Sequence, residues 1–182
     1  GERCMRAYNE TLYDKDMIIR YNKYYLADFF KKNFSIIAVG AAAAATYSFA
    51  VSQWSTGLLI LGMIVVYAVM TVIIQKTSEK KALKNSPIVE NPIIRSYLFD
   101  DQQILVNGRF VKPQDVDPGV VKPKDRIIKY DEIVRISTKT EFLMIYDTEK
   151  RTYLVNLNSF ETPEQYAELK VFLAEKLGKR YH

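Results

Sequence analysis

The pattern of apolar and polar positions divides the chain into an uninterrupted apolar half and an alternating half. From Asn33 to Gln75 there is no Asp, Glu, Lys, Arg or His. A single membrane-crossing helix needs roughly 20 apolar residues, and this stretch is about twice that. Near its middle lies Ser52-Gln-Trp-Ser-Thr-Gly57, polar, uncharged and turn-prone. The pattern predicts two membrane-spanning helices, about 34–54 and 57–74, joined by a very short turn. Upstream, Cys4 to Leu12 alternates as a short strand. Asp14 is placed to cap a following helix, and Met17, Ile18, Tyr21, Tyr24, Tyr25, Leu26, Phe29 and Phe30 give that helix a broad apolar face interleaved with Arg20, Lys23, Lys31 and Lys32. Aromatic rings and snorkelling Lys side chains suit the headgroup layer. The expectation for 1–32 is therefore a strand and an interfacial amphipathic helix that bends into the first span.

After the apolar half the period shortens. Residues 76–92 form a linker ended by Asn85-Ser-Pro87 and Asn91-Pro92, because residues before proline disfavour helix. Short β-type runs follow at 94–99 and 103–106, read as a hairpin, then at 126–130, 133–137, 141–146 and 152–157. Asn107-Gly108 is read as a turn, and the proline-bearing 111–124 as an irregular loop. A final helix is marked by Thr162 as N-cap, Pro163 at its first position and Gln165 completing a capping box. Tyr166, Leu169, Phe172, Leu173 and Leu177 supply its buried stripe, and Gly178 ends it. Six short strands in so small a unit are expected to bend into a barrel-like antiparallel sheet over 93–182, with the helix across one mouth. The fold class is α+β: a two-helix transmembrane hairpin plus an antiparallel β domain with a C-terminal capping helix.

Charge sets the orientation. The net charge is +5. Arg20, Lys23, Lys31 and Lys32 precede the first span, Lys76, Lys80, Lys81 and Lys84 follow the second, and the turn between them carries none. Cytoplasmic flanks are enriched in Lys and Arg, so both termini are expected in the cytoplasm of a plasma-membrane protein. Tyr24, Tyr25, Lys31, Lys32, Trp54 and Lys76 are the expected interface anchors. Small residues let helices approach closely, so Ala38, Gly40, Ala42, Ala44, Ser48 and Gly62 are expected at helix packing contacts, within the hairpin or between copies. A signal peptide is the rival reading of the first span, but more than 30 residues precede it.

Candidate chemistry is sparse. Cys4 is the only cysteine and His182 the only histidine, which excludes an internal disulfide and a Ser/His/Asp or His-metal site within the fold. No cofactor or metal is expected, and no enzyme. Asp100-Asp101 and Asp115/Asp117 sit in turns, where Asp is favoured for local hydrogen bonding. Asn9-Glu-Thr11 matches a glycosylation acceptor but falls on the cytoplasmic side. Lys122, Lys124, Arg126 and Lys129 form a basic cluster suited to anionic lipid headgroups or a partner. Nucleic acid is not expected, since no stripe of basic and aromatic residues is apparent.

A short strand and helix, an apolar hairpin, then Tyr97-Leu-Phe-Asp-Asp-Gln-Gln-Ile, Ile128-Lys-Tyr-Asp-Glu-Ile-Val-Arg-Ile and Tyr153-Leu-Val-Asn-Leu-Asn-Ser-Phe160 before a final helix resemble the bacterial YcxB-like proteins. That resemblance covers the chain from about Leu12 onward. It implies a small membrane protein whose cytoplasmic part is similar to a pleckstrin-homology-like (PH-like) barrel, and it carries over no catalytic residue. The expected function is a membrane-tethered interaction or regulatory module. The alternative is a homo-oligomeric pore or transporter accessory assembled through the hairpin.

Overall fold

A computed structural model of the chain describes residues 5–182. Among the described residues two compact units emerge, Asp16–Ser86 and a second made of residues 5–15 with Pro87–His182. Cys4, where the first strand was expected to begin, lies outside the described residues.

The first unit is an antiparallel helical hairpin. α1 (Lys15–Ala50) and α2 (Trp54–Lys84) are both long and apolar enough to cross a membrane by length and composition. α1 has no separate interfacial segment: one unbroken helix runs over its whole length, roughly 54 Å. It lacks the proline that would kink it before the apolar stretch. The turn lies earlier than expected, over residues 51–53. Ser52 takes a left-handed φ of 63°, and the Gln53 amide closes onto the Ser48 carbonyl at 2.8 Å. Gly57 is thereby inside α2, not at its start. A Cβ there would lie 2.4 Å from the Phe49 ring, so glycine serves close helix approach.

The hairpin register is marked by Ser78 donating to Asn22 (3.2 Å), by Phe34 stacked on Tyr67 (centroids 6.0 Å apart), and by Phe49 against Trp54 (5.2 Å). Of the small residues expected in the contact, Ser48 is buried and Ala38 half-buried, with Ala45 and Ala41 completing the three-and-four spacing. Gly40, Ala42, Ala44 and Gly62 are exposed instead, on other faces of their helices. Most apolar side chains of the hairpin also point outward, Val39, Leu58, Leu59, Met63, Val65 and Val66 among them.

The second unit holds two antiparallel sheets. β1 (Ala7–Tyr13), β2 (Ile93–Phe99), β3 (Gln103–Phe110) and β4 (Arg126–Lys129) form one, in that order. β5 (Ile133–Lys139), β6 (Phe142–Asp147) and β7 (Thr152–Asn156) form the other. A single 3-10 turn at Tyr130–Glu132 is the corner between them. α3 (Pro163–Leu177) closes the core with Leu169, Leu173 and Leu177 against Phe99, Ile104, Val106, Ile136, Ile145 and Val155. At its N-terminus the Thr162 hydroxyl accepts from the Gln165 amide (3.3 Å), but the Gln165 side chain does not complete a capping box. Its Oε1 accepts from the Tyr8 amide (3.1 Å), tying the helix to β1.

Two expectations fail within the strands. Asn107-Gly108 is not a turn, because β3 continues to Phe110 with Asn107 opposite Ser96 and Gly108 opposite Arg95. Glycine is required there because a Cβ would fall 2.4 Å from the Pro123 ring. The domain division also changes. β1 pairs along its whole length with β2, from Ala7 opposite Phe99 to Tyr13 opposite Ile93. The unit is therefore not 93–182 alone, and the helical hairpin is an insertion between two neighbouring strands.

No backbone ladder closes the sheets into a barrel. β1 and β7 lie side by side, and side chains join them. The Asn9 amide donates to the Asn156 carbonyl (2.7 Å), and the Asn156 N–H donates to Thr11 Oγ1 (2.9 Å), which donates to Asn9 Oδ1 (2.6 Å). The Tyr13 hydroxyl accepts from the Leu154 N–H and donates to the Leu154 carbonyl, both at 2.8 Å, while lying 2.6 Å from the Tyr97 hydroxyl. A hydroxyl has one proton and two lone pairs. The arrangement is saturated if Tyr97 donates to Tyr13. Burial pushes Tyr13 above the ordinary tyrosine value and Tyr97 well above it.

The seam makes the strand unit dependent on β1 and on its buried tyrosines. Residues 93–182 expressed alone will aggregate or remain unfolded, whereas residues 5–14 joined to 91–182 by a tight two-to-five-residue turn will give a soluble, cooperatively unfolding domain by circular dichroism. Tyr13→Phe will destabilise that domain by about 2 kcal/mol, because it strands buried polar groups. Both tyrosines keep their protons in the fold to higher pH than when unfolded. Their contribution is thus fully present below the ordinary value of about 10 and is lost as pH rises from there toward the folded values. Denaturant midpoints measured across that range will fall, and less steeply in Tyr97→Phe.

Candidate functional site

Strand geometry sets one of the basic residues expected to act together, Arg126, apart from Lys129. Successive side chains of a strand point to opposite faces. In β4, Ile128 faces the core, so Ile127 and Lys129 face out and Arg126 lies on the inward side, half-buried. Lys122 and Lys124 are exposed on the preceding loop. β4 ends its sheet, and lysines there discourage edge-to-edge pairing. Of the expected turn carboxylates, Asp100 makes local turn hydrogen bonds, whereas Asp101 reaches a residue far away in the chain. Asp100 Oδ1 accepts from the Gln102 and Gln103 amides, both at 2.8 Å, and Asp101 Oδ1 accepts from the Met5 amide (2.7 Å). The Asn9 and Thr11 of the apparent glycosylation motif are fully buried in the seam. Of the expected anchors, Tyr25, Lys31, Lys32, Trp54 and Lys76 are exposed and Tyr24 is half-buried. By helical rise Lys76 lies level with about Tyr25, and Lys32 level with about Val69, roughly 10 Å further along.

The second unit has a better-formed cationic concavity on its other sheet. An open groove of about 640 Å³ is lined by Val134, Arg135, Tyr146, Asp147, Thr148 and Lys150, and by Lys179, Arg180 and His182 beyond α3. Three local irregularities shape it. A β-bulge between Ile133 and Arg135 turns Val134 and Arg135 to the same exposed side. The β6–β7 turn puts Lys150 at a left-handed φ of 61°. Gly178, with φ 54°, ends α3 and starts a 3-10 turn carrying Lys179 and Arg180. Tyr181 and His182 then run alongside β5, with the His182 amide donating to the Ile136 carbonyl (2.9 Å) and the Thr138 amide to the His182 carbonyl (3.0 Å).

Several groups in the groove are held in place. The Arg135 guanidinium lies 4.6 Å over the Tyr146 ring. Arg180 Nη1 donates to the Ile133 carbonyl (2.8 Å) and the Tyr130 carbonyl (3.2 Å) at the sheet corner. Asp147, the one acidic side chain of the lining, is buried. Its Oδ2 accepts from Arg151 Nε (2.7 Å) and its Oδ1 from the Arg151 amide (2.8 Å). Arg151, outside the lining, also pairs with Glu149 through Nη1, so one arginine answers two carboxylates, and Arg135, Lys150, Lys179 and Arg180 still outnumber Asp147 in the lining. Sequence reading missed this group because its members are far apart in the chain. The Arg135-Ile-Ser run and the Lys179-Arg180 end gave no sign that a bulge and a turn would bring them together.

A second groove, about 670 Å³, lies beside α3 between Thr140, Glu141, Leu157, Asn158, Phe160, Thr162, Pro163 and Tyr166. It is more neutral, with an aromatic wall where Phe160 stacks on Tyr166 (5.6 Å). Comparisons with protein-family models, with curated proteins and with solved structures each find no significant match.

Proposed function

We propose that the chain is a membrane-tethered interaction module. Its hairpin crosses the plasma membrane twice, and its strand unit, a PH-like domain, is presented to the cytoplasmic face to bind a protein partner or anionic lipid headgroups. The observation that carries this reading is the outward exposure of apolar side chains along two helices that contain no Asp, Glu, Lys, Arg or His from Asn33 to Gln75. In water such a surface would far exceed the few hundred Å² that monomeric proteins expose. In a bilayer it is the required surface, since a Lys at mid-bilayer costs roughly 3 kcal/mol on insertion scales. Lysines flanking both helices at the end opposite the turn favour a cytoplasmic location for that end. Tyr24, Tyr25, Phe29 and Phe30 beside Lys31 and Lys32 match the aromatic and basic composition of a headgroup layer.

A homo-oligomer assembled through the hairpin is the second reading. It is favoured by Gly40, Ala42, Ala44 and Gly62, which lie away from the intrachain contact and offer close approach to another helix. Crosslinking of Ala42→Cys and Ala44→Cys variants reports on it directly.

The topology is tested in intact cells on a Cys4→Ser background with a membrane-impermeant maleimide. Gln53→Cys will label from outside, and Lys179→Cys only after the membrane is opened. Labelling of both from the same side rules the layout out.

A further inference from the structure

We infer that the groove between β5, β6 and the turn after α3 is a binding site for a phosphate ester, carried either by a lipid headgroup or by a soluble metabolite. This deepens the reading above by naming the site and its ligand chemistry, and it moves the expected anion site away from Lys122–Lys129.

Four cationic side chains line one concavity, and its single carboxylate is occupied by Arg151. Four like charges around one acidic side chain repel one another, so a groove of this composition is stabilised by an anion. A multiply charged, multi-acceptor anion fits better than a carboxylate, because two of the four cations are arginines. Guanidinium groups recognise phosphate oxygens in a planar, two-bond fashion, and lysines add point charge.

Preorganisation is the second line. Stacking on Tyr146 restrains Arg135, and backbone carbonyls hold one nitrogen of Arg180. Such restraint before binding reduces the ordering cost that long cationic side chains would otherwise incur. Lys150 adds a third line. A left-handed conformation is unfavourable for a side chain with a Cβ, by roughly 1 kcal/mol. Glycine or asparagine would relieve it, yet this turn places a lysine there, on the rim of the groove. With the bulge at Val134, the irregular backbone positions around the groove each deliver a cation to it. The volume, about 640 Å³, is within the range of small-ligand sites, roughly 300–1,000 Å³.

The test uses the full chain in phosphatidylcholine nanodiscs. In the soluble arm, inositol trisphosphate is titrated by calorimetry. In the lipid arm, nanodiscs containing phosphatidic acid are compared with ones containing phosphatidylglycerol, and the amine reactivity of Lys150 and Lys179 is read by mass spectrometry. Arg135→Gln with Lys179→Gln is expected to weaken binding about fivefold per cation removed, with thermal unfolding unchanged. Lys122→Gln with Lys124→Gln is expected to leave it within about twofold. Saturable binding of the trisphosphate without protection by phosphatidic acid assigns a soluble ligand, and both together support a phosphate-ester site open to either source. Protection of both lysines by phosphatidic acid, without affinity for the trisphosphate, assigns a headgroup. Absence of both, or equal binding by the groove variant, overturns the inference. The soluble titration needs no particular topology, so its failure is distinct from a failure of the maleimide test.

Discussion

The strand unit depends on side chains of β1 satisfying the open edge of β7. An edge strand presents unpaired N–H and C=O groups, and buried backbone groups must find partners. Leu154 and Asn156 are two residues apart and so direct their backbone groups to the same edge. The Tyr13 hydroxyl meets both groups of Leu154, while Thr11 and Asn9 meet those of Asn156. Each side chain stands where a paired backbone would be. This explains why an inward face that would ordinarily be aliphatic reads Ala7, Asn9, Thr11, Tyr13. The two sheets can meet there at an angle that no ladder would span, because side chains tolerate a separation that direct strand pairing does not.

The seam gives β1 a weight out of proportion to its seven residues. It pairs with β2 on one edge and serves β7 on the other, and it anchors the start of α3 through Tyr8 and Gln165. Yet the chain leaves β1 for the helical hairpin and returns only at β2. The insertion costs little, because the paired ends Tyr13 and Ile93 already lie together and an antiparallel hairpin begins and ends at the same place. Loop-closure entropy rises only slowly with the length of an inserted segment, and a hairpin that is itself ordered shortens the effective gap further.

Much of this was legible in the sequence where a single local cause dominates. The charge-free stretch, the strand runs, Thr162-Pro163 and Gly178 each act over a few residues, and the elements appear where they mark them. Reading failed where a distant partner decides. Asn107-Gly108 is strong turn chemistry, but its glycine is dictated by Pro123. Gln165 has the spacing of a capping box, but Tyr8 takes its side chain. Asn9 and Thr11 have the spacing of a glycan acceptor, but β7 needs both. Arg126 and Lys129 are close in sequence, yet strand parity puts them on opposite faces, whereas Arg135, Lys150 and Arg180 come together only through the bulge and the turns.

The two units obey opposite burial rules. In the strand unit Ile104, Val106, Ile136, Leu143 and Ile145 are wholly inside, and polar groups fill the surface. In the hairpin small residues such as Ala45, Ser48 and Gly57 are inside, while Leu58, Met63 and Val65 are outside. A helix pair in water is held by its apolar stripe and would be inverted by this pattern. In lipid, tails and leucines are equally apolar, so burial of leucine between helices gains little and contact is set by how closely backbones can approach. Phe49 seated over Gly57 is that kind of contact: it needs the absence of a side chain rather than the burial of a large one. The same chain therefore carries two opposite burial patterns, one in each unit.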